Sequence, residues 1–129
     1  MAGAVLLGGA VVLADAWWGE RYFFETKRYR IGNSGGDKRV RILLFTDIHF
    51  KKYYKRYHQK LAQKIRSLRH DLILTTGDLI DEYGLPSPAN RFLHHLQGLA
   101  PLFAIPGNHD NKNGVSRQTL RNLVGRHGG

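Results

Sequence analysis

The chain is 129 residues long, enough for one domain and much of a two-layer core but not for two independent domains. It contains no cysteine, which excludes disulfides, thiolate metal sites and cysteine nucleophiles, so any metal must be held by oxygen and imidazole. The net charge of +10 is uneven: residues 20–70 carry 15 of the 20 Lys and Arg against four acids, so the basic surplus is N-terminal and points to a polyanion, either anionic lipid headgroups or nucleic acid, or else to a solvated surface.

Met1 to Ala14 is apolar or Gly throughout, Asp15 follows, and Trp17-Trp18 close the segment. Residues 1–18 are therefore expected to be a hydrophobic membrane anchor, with tryptophans at the interface and Arg21, Lys27, Arg28 and Arg30 keeping the following domain cytoplasmic. Fourteen apolar residues fall short of the ~20 of a comfortable span. The alternatives are an uncleaved or cleaved secretory signal, against which stand the missing basic n-region and the weak Ala14-Asp15-Ala16 cleavage site, and a buried strand-like segment. Residues 19–37 read as an extended lead-in of aromatics and charges, followed by a loop at Gly32-Asn33-Ser34-Gly35-Gly36-Asp37. The folded domain is expected over 38–129.

Arg39 to Thr46 is expected to be the first central strand, since its apolar run is continuous and short. Phe50 to His58 reads as a basic, aromatic loop that attracts phosphate or is simply solvated. Leu61, Ala62, Ile65 and Leu68 then recur at helical spacing and predict an amphipathic crossover helix. Asp71 to Thr76 is the second strand. Ser87 and Pro88 predict an N-cap and first helical residue for a helix over 89–97, with Phe92, Leu93 and Leu96 inward and Gly98 as its stop. Pro101 to Ile105 is the third strand, and Val115-Ser116 opens a last helix stapled by Val115 and Leu120.

Each of the three strands runs into polar residues of metal-ligand type: Asp47-Ile48-His49, Gly77-Asp78, and Gly107-Asn108-His109-Asp110. They are about thirty residues apart, close to one strand-helix-strand unit. Parallel strands joined by right-handed crossovers all end on one sheet edge, so Asp47, His49, Asp78 and Asn108 can converge. Asp47 and His49, two apart, could share one side of an extended exit and chelate one ion, with Asp78 placed to bridge two. Carboxylates, an imidazole and an amide suit Mn²⁺, Fe²⁺ or Zn²⁺ better than a soft metal. Two such ions would polarise a phosphoryl group and acidify a bound water to a hydroxide nucleophile. His109 is placed to touch a phosphate oxygen or protonate the leaving group, with Asp110 orienting its ring.

These three motifs, in this order and spacing, resemble the first three motifs of calcineurin-like metallophosphoesterases, over about residues 39–126. The apolar start and the Glu20-to-Thr26 lead-in are further similar to the membrane-associated bacterial branch, which includes phosphodiesterases and hydrolases of lipid-linked nucleotides. The resemblance implies an α/β fold, the N-terminal half of an α/β/β/α sandwich, and metal-dependent hydrolysis of a phosphodiester or pyrophosphate. It gives Asp47 and His49 the first ion, Asp78 the bridge, Asn108 the second ion, and His109 the substrate.

The family also uses a later lone histidine and a Gly-His-x-His motif, and neither is present in this sequence. The second ion's site is then incomplete. A fragment is expected, weakly active or inactive alone, with an apolar sheet face open. The alternative function is a non-catalytic basic remnant that binds anionic membrane or nucleic acid, though nucleic acid is not the expected partner of the enzyme reading. His94-His95 point apart on a helix, Asp81-Glu82 follow Asp78 closely and read as groups behind the ligands or as a solvated loop, and His58, His70 and the tyrosines Tyr53, Tyr54 and Tyr57 read as packing or solvated groups.

Overall fold

Leu72–Thr75 (β2) is the middle of a three-stranded parallel sheet, with Ile42–Phe45 (β1) on one side and Leu102–Ala104 (β3) on the other. In this computed structural model the described residues are 26–32, 39–112 and 116–128. The apolar segment 1–18, most of the lead-in and Val115 of the expected staple lie outside them. The chain divides into two units, Met1–Asn33 and Ser34–Gly129. In the first, residues 26–32 form neither helix nor strand. The second carries the fold.

Each expected strand is present but shorter at both ends, and β1 lies at an edge of the sheet rather than in its centre. Arg56–Ser67 (α1) connects β1 to β2, and Pro86–Leu96 (α2) connects β2 to β3. Both crossovers step the same way across the sheet, so right-handed connections place both helices on one face. That face is the core. In register, Leu43, Ile73 and Leu102 form a row beneath Ala62 and Ile65 of α1 and Phe92, Leu93 and Leu96 of α2.

The other face has no layer among the described residues. Leu44, Leu74 and Phe103 form the matching outward row, with Leu44 59% and Phe103 57% exposed. Parallel sheets are ordinarily covered on both faces, so this row is an exposed apolar strip of the described residues.

The helix ends differ from expectation in informative ways. The basic loop is shorter than read, because α1 already begins at Arg56 and Phe50 is fully buried, bridging to Ile80. His58 is neither solvated nor isolated: its Nδ1 accepts the Lys55 N–H at 2.9 Å and so caps α1 from inside. Ser87 is not an N-cap. Leu85 holds that position without a side-chain bond, and Pro86, rather than Pro88, opens α2, since the fixed φ of proline suits a first helical residue. Gly98 does follow the end of α2, with φ +76.

A short helix, Asn108–Lys112 (α3), carries the polar residues that follow β3. Ser116 caps the last helix, Arg117–Gly125 (α4), by accepting the Thr119 N–H at 3.1 Å. Beyond it, Gly128 C=O accepts from Leu102 N–H at 3.0 Å, and His127 is buried with Nε2 2.9 Å from Asn90 Oδ1. The tail thus closes against β3 and α2. Among the described residues no helix is long and apolar enough to cross a membrane.

Candidate metal centre

The two segments that leave β1 and β2 stay paired beyond the sheet. Asp47 N–H donates to Gly77 C=O at 3.2 Å, His49 N–H to Asp78 C=O at 3.0 Å, and Phe50 N–H to Leu79 C=O at 2.8 Å. They do so with an irregular backbone. Asp47 (φ 55), His49 (φ 51) and Asp78 (φ 51) lie in the left-handed region, and they are the only non-glycine residues there among those described. Asp and His tolerate this region better than most residues, but it costs energy that the paired backbone and the buried Ile48 between them must offset. Asp47 and His49 therefore do not share a side by strand alternation, as expected. Two left-handed residues flank a buried one, and that geometry turns both side chains the same way.

The result is a cluster. Single ligand atoms of Asp47, His49 and Asp78 all lie within 4.8 Å of one another. His49 Nε2 is 3.7 Å from Asp47 Oδ1, while its Nδ1 is 4.0 Å from Asp81 Oδ2. Of the two readings of Asp81, behind the ligands or in a solvated loop, this position favours the first. Asp81 thus stands behind the second nitrogen of His49, just beyond hydrogen-bond reach, where a carboxylate can help to aim a ligating histidine. The only sequence signal was its spacing from Asp78, which is shared with any acidic loop.

Gly77 and Gly107 bring the third exit into place. A side-chain carbon on Gly77, which has φ +105, would strike the backbone of Gly107, and one on Gly107 would strike the Asp78 carboxylate and backbone nitrogen. The two loops therefore touch backbone to backbone, which only glycine allows. Across this contact His109 N–H donates to Asp78 Oδ1 at 2.9 Å. The Asn108 amide abuts the same carboxylate. Its nitrogen, turned toward Asp78, donates to Oδ1 at 3.1 Å and Oδ2 at 2.9 Å. Its oxygen in that place meets two carboxylate oxygens, an arrangement that a shared cation would stabilise. Two carboxylates, an imidazole and an amide oxygen are a hard-to-borderline donor set, so the residues fit a divalent ion.

His109 stands with its ring edge-on to His49, 4.7 Å between centroids, and its Nδ1 has no hydrogen-bond partner. Asp110 does not orient it. Its side chain is 1% exposed, with Oδ1 accepting the Ile80 N–H at 2.8 Å and Oδ2 the Gly107 N–H at 2.9 Å. Asp110 ties the third exit to the second, a correction to its expected catalytic role. A helical turn points successive side chains in different directions, so Asp110 faces inward while His109 faces the cluster.

His94 and His95 stay apart from the cluster: His94 lies near Gln97 and His127, and His95 beside Tyr54.

An Asp/His/Asp/Asn group gathered from three successive strand ends, at the carboxyl edge of a parallel sheet, defines a metal-type site on an α/β scaffold. Residues 40–127 match the calcineurin-like phosphoesterase family, and the chain belongs to that family. A stretch of 67 residues is 36% identical to a protein of Vesicomyosocius okutanii subsp. Calyptogena okutanii (strain HA) described as a probable cyclic nucleotide phosphodiesterase. The shared stretch takes in 50% of this chain and 28% of that relative.

Proposed function

We propose that the chain contributes to metal-dependent hydrolysis of phosphodiesters. The observation that carries this reading is the convergence of Asp47, His49 and Asp78, with ligand atoms within 4.8 Å and Asn108 against the same carboxylate. Asp47, His49 and Asp78 would hold one divalent ion, and Asp78 with Asn108 would begin the site of a second. Bound there, such ions supply Lewis acidity toward a phosphoryl oxygen and lower the pKa of water. Mn²⁺, Fe²⁺ and Zn²⁺ all suit the donors.

The protein's own contribution is placement. Asp81 stands behind His49, and the left-handed backbone at residues 47, 49 and 78 sets the directions of the three side chains. His109 faces the cluster and is the group we assign to the substrate: its imidazole touches a phosphate oxygen or delivers a proton to the leaving oxygen. Four protein donors do not fill two coordination spheres, so the second ion needs further donors from protein or solvent.

The relative's description supports a phosphodiester over a monoester and makes a cyclic nucleotide the first natural substrate to try. A lipid-linked substrate and a place at the membrane rest on residues 1–18 and the lead-in over 20–26, and a cytoplasmic orientation on Arg21, Lys27, Arg28 and Arg30. The test is hydrolysis of a chromogenic bis-aryl phosphodiester and of cyclic nucleotides with Mn²⁺, beside Asp78→Ala. Metal-dependent turnover lost in the variant supports the enzyme reading. Turnover equal in both overturns it. Polyanion binding unchanged in Asp78→Ala, with no turnover in either protein, favours the basic binding module instead.

A further inference from the structure

At the sheet edge opposite Asp47 and Asp78, where the strands begin, a cavity of about 350 Å³ is lined by Arg41, Arg66, Leu68, Arg69, His70, Asp71 and Leu99. Arg41 immediately precedes β1, His70 and Asp71 precede β2, and Arg66 lies in the last turn of α1. Three arginines and a single carboxylate thus line one opening. That carboxylate is already engaged, since Asp71 Oδ2 accepts the Arg41 backbone N–H at 2.7 Å. Among the described residues no ion pair neutralises Arg41, Arg66 or Arg69, although Arg66 Nη1 also donates to the His95 C=O at 2.9 Å and is held in place by it.

His70 is the second, independent observation. Both of its ring nitrogens are shielded from solvent, and neither has a hydrogen-bond partner. Leaving a buried polar atom unpaired is costly, so a group that supplies an acceptor to this ring is favoured. An acceptor-rich anion between arginine forks meets both requirements. Guanidinium groups match the oxygens of a phosphate in pairs, and an opening of this size admits a small molecule.

We infer that this cavity is a second anion site, separate from the metal cluster, that binds the phosphate group of a small soluble molecule. Arg41, Arg66 and Arg69 take its oxygens, and the His70 N–H donates one further bond. Because the site shares no residue with the cluster, it is independent of metal and of the hydrolytic reading.

The test follows the His70 ring proton signals by NMR while the full chain is titrated with inorganic phosphate, with EDTA present and ionic strength held constant. A saturable shift that persists in Asp78→Ala and weakens at least tenfold in Arg41→Gln/Arg69→Gln supports the site. Both arginines are exposed, so the double variant is expected to fold; Arg69→Gln alone gives the same comparison if it does not. A ring that does not move, an equal shift in the arginine variants, or an equal shift with chloride overturns the proposal. So does a response to phosphatidylglycerol vesicles with none to soluble phosphate, which would make the cavity a lipid contact.

Discussion

Gly107 lies so close to Asp78 that a single added carbon at position 107 would overlap the Asp78 carboxylate and its backbone nitrogen. The third strand exit is therefore built around the Asp78 carboxylate of the cluster. Gly107→Ala is expected to push the two exits apart, costing about 1–3 kcal/mol as an overpacked contact. Mn²⁺ affinity, read by calorimetry, should fall with it. Unchanged Mn²⁺ affinity in a folded Gly107→Ala protein would show that the contact does not set the ligand geometry.

Asp110 offers the cleanest separation of structure from chemistry. It accepts two backbone N–H groups, from Ile80 and Gly107, in a buried setting. Asp110→Ala leaves both donors unpaired and should lower stability by about 2–4 kcal/mol in urea unfolding. Asp110→Asn, which keeps one acceptor oxygen, should fall between. If Asp110 instead tuned His109, the asparagine variant would reshape a pH–rate profile with little loss of stability.

Within the cluster, Asp78→Ala removes the acceptor shared by the His109 N–H and the Asn108 amide. Divalent-ion binding should weaken at least about 100-fold, because a ligand is worth more than the 10–100-fold typical of the groups behind it. Asp81→Asn should give the smaller loss, within that 10–100-fold range, because Asp81 acts on the cluster through His49. Equal losses in the two variants would rank Asp81 as a ligand.

Stability should depend on pH through His58 and His127. Burial, and then the Lys55 charge, holds His58 below the usual imidazole value of 6.5; burial, then His94 and Arg126, does the same for His127. Both are neutral in the fold, and the unfolded chain takes up protons first as the pH drops. Their contribution is whole above the unfolded value of 6.5 and is lost as the pH falls from there through the lower folded values. The urea midpoint should therefore decrease on acidification from neutral pH. His58→Leu should flatten this slope while losing the Lys55 cap. An unchanged slope would place the titration elsewhere.

The open sheet face predicts surface behaviour. Leu44 and Phe103 stand side by side through Leu74 on the uncovered row. The chain on its own should bind a dye such as ANS and self-associate, and Leu44→Lys/Phe103→Lys should reduce both without unfolding the other, helix-covered face. Strong dye binding that survives the double substitution would locate the exposed apolar surface outside the sheet.

The sequence was enough to determine three strand exits carrying Asp47, His49, Asp78 and Asn108, the two crossover helices, and the family they define. Such features are local: an apolar run, a helical period and a short polar motif are each complete within a few residues. The contacts between exits could not be read the same way. Left-handed backbone at three ligands, Asp81 behind His49, Asp110 bound to Ile80, and Gly107 against Asp78 each join segments through angles that residue identity permits without requiring. The arginine-lined cavity is of this kind too, since Arg41 and Arg69 meet only because β1 and β2 pair in register. Short-range pattern decides which elements form. Packing between residues far apart in the chain decides which side chains face one another, and that packing alone turned Asp110 from an expected catalytic residue into a tether.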